Sequence, residues 1–117
     1  MSQAMSTSSA PTDPGAFVAT PVFAALGDET RFHLVERLSH EGPLSIVVLT
    51  EGTNVSRQAV SKHLQVLADA GIVTGERHGR ELRWSVNRAQ LALARRCLER
   101  IGRRWDEALS RLQAHVE

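Results

Sequence analysis

The chain has 117 residues, enough for one domain built around one core and too few for two. Its 14 Lys and Arg against 13 Asp and Glu favour no partner by total charge, and a single cysteine rules out an intrachain disulfide framework. No apolar run is long enough to span a bilayer, and MSQAMSTSSAPTDPGA lacks the basic and hydrophobic regions of a secretory signal, so a cytoplasmic protein without a membrane partner is expected.

Residues 1–19 are rich in Ser, Thr, Pro, Ala and Gly, with too few large apolar groups to fold. A disordered tail is expected there, followed by one domain over 20–117. Thr20 before Pro21 supplies an N-cap and a proline for the first turn of a short helix, about 20–26, that Gly27 ends. Asp28 and Glu29 then open a second helix, where the helix dipole favours acid, and it runs to about His40 with Phe32, Val35 and Leu38 at helical spacing. Pro43 and Leu44 read as a brief extended link. Ser45 to Thr50 is a short apolar run that periodicity leaves open between strand and buried helix. The turn residues Gly52 and Asn54, with a capped helix after them, make a helix-turn-helix and favour helix.

That capped helix, SRQAVSKHLQVLADAG, organises the chain. Ser56 is its N-cap and Gly71 suits the left-handed turn that ends it. Val60, Leu64 and Leu67 form a buried stripe, while Gln58, Ser61, Lys62 and Gln65 fall roughly opposite. Short hydroxyl and amide groups with one or two cations at the N-terminal end of an exposed helix suit base edges and phosphates in a major groove. An ordinary amphipathic helix with a solvated face is the equal alternative on these residues alone.

After Gly71 the period becomes two. Leu82, Trp84 and Val86 alternate with Glu81, Arg83 and Ser85, and Gly79 marks the tip of a hairpin flanked by arginines. A helix-turn-helix followed by such a hairpin is a winged helix, whose cationic tip can lie on a DNA backbone or enter a minor groove. Charge is distributed to match. Up to Val55 there are two basic residues and six acidic ones, whereas Ser56 to Arg104 holds eleven basic and four acidic. Asn87 can cap a last helix, about 88–116, in which Leu91, Ala94, Leu98, Ile101, Trp105, Ala108 and Leu112 follow a 3-4 heptad seam. The seam reads as a dimer helix, packed on its symmetry mate and on the short first helix through Val22 and Phe23. Packing within one subunit is the alternative.

The expected fold is therefore mainly α, an α+β winged helix-turn-helix of about five helices with a β-hairpin wing and a long C-terminal dimerisation helix. Ala25-Leu26-Gly27-Asp28-Glu29-Thr30-Arg31 with Leu34, then Val60-Ser61-Lys62-His63-Leu64, then Leu67-Ala68-Asp69-Ala70-Gly71-Ile72-Val73, then Arg77 to Arg80, resemble the ArsR-type winged-helix repressors of bacteria. The likeness covers about Val22 to Val116. It implies a homodimer whose recognition helices enter successive major grooves of an inverted repeat in double-stranded DNA, with the wings on the flanking backbone. By that resemblance Ser56, Gln58, Ser61 and His63 contact bases or nearby phosphates, and Arg57, Lys62, Arg77, Arg80 and Arg83 mainly contact phosphates. His63 lies at the edge of the buried stripe, where a packed or capping histidine is as good a reading as a DNA contact.

Departures from the family pattern bear on what is sensed. Many members bind metal through a Cys-x-Cys on the first helix of the DNA-binding pair, where this chain has Ile46-Val47-Val48-Leu49. Others use an Asp and histidines on the dimer helix, which here offers only His115 and Glu117 near its end. His33 and His40 stand two turns apart, about 10 Å along the axis, too far to share an ion. No metal site and no cofactor is expected, and the chain looks similar to the metal-independent branch. Cys97 lies beside the seam, where a small buried hydrophobe is the ordinary reading, and a redox role or a bridge across a two-fold axis the others. No catalytic constellation is present, so an enzyme is not expected. A sequence-specific autorepressor is expected, and a winged-helix module that holds another protein is the alternative.

Overall fold

The computed structural model describes residues 17–116, with side chains to Ala114. The expected tail therefore falls, for 1–16, outside the described residues. Its last three residues do not belong to a tail. Helix α1 spans Ala19–Leu26, starting before Thr20, and Phe17 stacks edge-on against Phe23 with ring centroids 6.5 Å apart. Pro21 still stands in the first turn, where no helical partner for its missing N–H is lost.

Helix α2, Glu29–Glu41, starts where Asp28 accepts the Arg31 backbone N–H at 3.0 Å and ends at Gly42 with φ 85°. The ambiguous apolar run divides between two states. Leu44–Ser45 is a short strand, β1, and Ile46–Glu51 is helix α3, with the Ser45 hydroxyl accepting the Val48 N–H at 3.4 Å. The link at Leu44 is thus part of a sheet, because Leu44 and Ser45 pair with Trp84 and Arg83. Arg37 closes α3 from outside, donating to the carbonyls of Val48 at 3.1 Å and Leu49 at 3.4 Å while its other nitrogens hold Glu41. Both carbonyls stand in the last turn of a short helix, where that of Leu49 also accepts the Gly52 N–H at 3.3 Å.

Helix α4, Arg57–Asp69, ends in a Schellman arrangement: Gly71 has φ 80°, its N–H reaches the Ala68 carbonyl, and Ile72 N–H reaches the Leu67 carbonyl, both at 2.9 Å. Strands β2, Val73–His78, and β3, Glu81–Val86, form the expected hairpin around Gly79 at φ 67°. The sheet order is β1-β3-β2, antiparallel throughout. Gly75 faces Trp84, and a Cβ there would come within 3.2 Å of the indole, so the absent side chain lets the ring lie flat over the strand. Asn87 accepts the Gln90 N–H at 3.2 Å and starts helix α5, Arg88–Val116.

Leu34, Leu38, Leu49, Val60, Leu64, Leu67, Ile72 and Val73 make the centre of one core among α2, α3, α4 and the base of the wing. Two expected interface residues belong to it instead. Val22 and Ala94 are buried within the single chain, at 1% and 5% exposure, because α1 and the start of α5 close the core. Leu91 and Phe23 also pack against it from its edge. Beyond Cys97 the helix leaves the body of the domain, and Leu98, Ile101, Trp105, Leu109 and Leu112 are exposed. Among the described residues no helix is long and apolar enough to cross a membrane.

Candidate nucleic-acid interface

Burial of Val60, Leu64 and Leu67 fixes which way α4 faces. Arg57, Gln58, Ser61, Lys62 and Gln65 are then exposed on the outer side, and the first turn carries no acid. Ser56 is exposed too, but its hydroxyl accepts the Ala59 N–H at 3.1 Å, so its first duty is to cap. Farther along, Gln65 donates to Asp69 at 2.9 Å, which makes the C-terminal half of this face self-paired and acidic. The half suited to a polyanion is therefore the first two turns, where the Gln58 amide can present the paired donor and acceptor that read an adenine edge.

His63 does not share that face. It is half-buried, and its Nδ1 lies 3.4 Å from Arg31 Nη1. A guanidinium only donates, so Nδ1 is the accepting atom of this contact. Of the two readings open in the sequence, the packed one describes its position.

The wing register sorts its arginines. Arg77 pairs with Leu82 on the same face as Gly75 and Trp84, whereas Glu76 pairs with Arg83 and His78 with Glu81 on the other. Arg77 and Arg80 consequently line an open cleft of about 430 Å³ between the wing and the helix-turn-helix, whose walls also include Arg57, Ile46, Val47 and Leu82. Arg77 Nη1 donates to the Arg80 carbonyl at 3.5 Å, turning its guanidinium toward the tip. Arg83 is separated from this group on the outer face, where its Nε holds Glu81 at 2.7 Å. Three guanidinium groups from two elements thus gather in one concave place, as phosphate recognition requires.

Residues 26–76, which hold α2, α3, α4 and the start of the wing, match a family model described as a helix-turn-helix domain. The chain is 41% identical over 86 residues to the HTH-type transcriptional regulator Rv2034 of Mycobacterium tuberculosis, covering 74% of this chain and 77% of that one. An ArsR-like transcriptional regulator from Rhodococcus sp. RHA1 superposes with a TM-score of 0.74 at 39% identity, over 85% of this chain and 92% of that chain. The chain belongs to the ArsR family. It is a DNA-binding transcriptional regulator with a winged helix-turn-helix fold, and its relatives are regulators, not enzymes.

Within the ArsR family relatives have different named roles. One, 37% identical over 79 residues and covering 65% of this chain and 62% of that one, is a probable mercury resistance operon repressor from Streptomyces lividans. In this ArsR-family chain α3 presents Val47 and Val48 to solvent, and His40 Nδ1 lies 2.8 Å from the Glu36 carbonyl oxygen. Among the described residues no three His, Cys, Asp or Glu side chains gather. The side chains of His115 and Glu117, weighed above as ligands, lie outside the described residues. Sequence reading missed two residues of the site. Glu81 borders the arginine cleft at the hairpin tip, and Arg31 reaches α4 across a separation of 32 residues, too far for any local pattern to signal.

Proposed function

We propose that the protein is a homodimeric autorepressor that occupies an inverted-repeat operator and answers to a signal other than a metal ion. The observation that carries this reading is the outer face of α4, polar and free of acid over its first turn, set beside the cleft that gathers Arg57, Arg77 and Arg80. Gln58 and Ser61 supply base contacts in the major groove, with Ser56 at its border and His63 packed behind the helix, while Arg57, Lys62, Arg77, Arg80 and, more weakly, Arg83 engage phosphate. The exposed stripe of Leu98, Ile101, Trp105 and Leu112, flanked by Phe23, Leu91 and Ala108, is the surface on which two subunits pair. Isoleucine, valine and leucine at 46–49 support a signal other than a metal at that helix, because hydrocarbon side chains cannot ligate.

Duplexes selected from a random library, titrated at several salt concentrations, test the reading. Arg80→Ala is expected to weaken binding to every duplex alike and to reduce the salt slope by about one. Gln58→Ala is expected to cost about 1–3 kcal/mol at particular base positions and to leave the slope alone. Equal salt slopes for wild type and Arg80→Ala would remove the wing from the backbone. Failure to select any duplex at all would favour a protein-binding module.

A further inference from the structure

Arg31 joins three helices. Its backbone N–H is capped by Asp28 at 3.0 Å, its Nε donates to the Ala25 carbonyl at 2.7 Å, and its Nη1 meets His63 Nδ1 at 3.4 Å. The Ala25 carbonyl is among the last four of α1 and has no helical partner, so the guanidinium satisfies it and places positive charge at the negative end of that helix. The same planar group then reaches the middle of α4, one residue past Lys62 and two past Ser61. Arginine suits this task because its donors are held in one rigid fork, and an ammonium cannot span both acceptors with that geometry.

Packing on this side of α4 is partial: Val22 and Ala25 of α1 are buried in the same core, but an open groove remains toward the end of α4. A cleft of about 280 Å³ lies between α1 and the C-terminal half of α4, walled by Pro21, Ala24, Ala25, Arg31, Val66 and Asp69. Burial of Val60, Leu64 and Leu67 sets how deep α4 sits, and a directional contact to His63, off that stripe, adds a restraint on its roll. Arg31 forms one wall of that cleft and from there reaches His63.

We propose that Arg31 is a positioning residue for DNA reading: through His63 it sets the roll of α4 against α1, and so the angle at which Gln58 and Ser61 meet the groove. This rests on the proposal that α4 reads DNA. Base readout depends on angle far more than phosphate attraction does, because a bidentate amide contact is directional and a charge is not. Loss of the fork therefore lowers specific affinity and spares non-specific affinity. A phosphate contact would lower both, and a part needed only for folding would lower neither in protein that is still folded.

The test uses the full chain, a duplex selected by the wild type and a scrambled duplex of equal length. Arg31→Gln and His63→Leu are each expected to reduce affinity for the selected duplex about tenfold, equivalent to about 1.4 kcal/mol, with scrambled-duplex affinity and salt slope unchanged. The double variant is expected to be no worse than either single one, since both remove the same bridge. His63→Gln keeps an acceptor for the guanidinium and is expected to recover most of the selected-duplex affinity. Arg31→Lys, which retains the charge and one donor, is expected to fall between wild type and Arg31→Gln, and it reports on the bridge should Arg31→Gln fail to fold. Equal losses on both duplexes, a lowered salt slope, additive single effects, or a Tm change without any change in affinity would each overturn the proposal. A wild type that selects no duplex would instead remove the DNA-reading proposal beneath it.

Discussion

At the scale of single residues, charge in the sequence and charge in the site are different quantities. Arg83 counts as one more cation in the basic half of the chain, yet strand alternation turns it away from Arg77 and its Nε is held by Glu81 at 2.7 Å. Glu81 in turn stands in the wall of the cleft with three arginines. Its carboxylate is held by Arg83 on the outer face, but its charge beside the cleft still opposes any phosphate the arginines attract. Glu81→Gln is therefore expected to tighten binding to all duplexes a few-fold, about 0.5–1 kcal/mol, most at low salt, with little change in Tm. Fluorescence titration at two salt concentrations checks it, and unchanged affinity at the lower one would place the DNA backbone outside the cleft. The outward set of Gln58, Ser61 and Lys62 was legible because helical period alone separates it from Val60, Leu64 and Leu67. The partners of Arg31 and Glu81 were not, since each depends on a register or a tertiary approach that no window of sequence contains.

At the scale of elements, caps and glycines carried most of what could be read in advance. Ser56, Asn87 and Gly71 stand at the boundaries that their side chains, or the lack of one, favour. Gly71→Ala is expected to cost about 1–2 kcal/mol, because an L-residue at φ 80° meets its own carbonyl and the Schellman bonds hold the position fixed. Thermal melting measures this, and an unchanged Tm would mean that the α4 end can rearrange freely. The two ends of α2 make a pH prediction. Asp28 is held below the ordinary carboxylate range, first by the Arg31 backbone N–H and then by the Arg31 charge, and Glu41 likewise by its hydrogen bonds from Arg37. A carboxylate depressed in the folded state stabilises fully above its unfolded value, and that stability is lost as pH falls through the folded one. Stability is expected to decline below the ordinary carboxylate range, and Asp28→Asn, which keeps the acceptor but not the charge, to show a shallower decline in acid melts. What the sequence could not reveal at this scale is β1. Two residues are too few for a period, and Leu44 and Ser45 are extended only because the free edge of β3 lies beside them.

At the scale of the whole molecule, the proposed pairing turns on a helix face that one chain leaves uncovered. Nineteen residues of α5 run on after Cys97, and most helical stability in proteins comes from covering an apolar face rather than from propensity. Leu98, Ile101, Trp105, Leu109 and Leu112 give that face at 3-4 spacing, and exposures of 55%, 46%, 65%, 53% and 61% show that this subunit covers little of it. Full burial of such side chains is worth about 1.5–3 kcal/mol each, and since these are about half exposed, pairing would recover roughly half of that from each subunit. Association costs about 4–15 kcal/mol, a similar amount, so loss of the largest member from both sides is expected to tip the balance. Trp105→Glu removes an indole from each subunit and sets two carboxylates into a shared apolar seam. Sedimentation is expected to show a dimer for the wild type at micromolar concentration and a monomer for the variant. Melting of the domain core should hardly move, because Val60, Leu64 and Leu67 lie in the body of the fold, away from the projecting end of α5. DNA binding separates the readings further. Two linked α4 helices bind an inverted repeat far more tightly than one, since the second contact is made at high effective concentration. The variant is accordingly expected to bind a full repeat and a half-site with similar affinity, whereas the wild type strongly prefers the repeat. A wild type that sediments as a monomer, or that binds half-site and repeat alike, would mean that the exposed stripe of α5 serves some other partner.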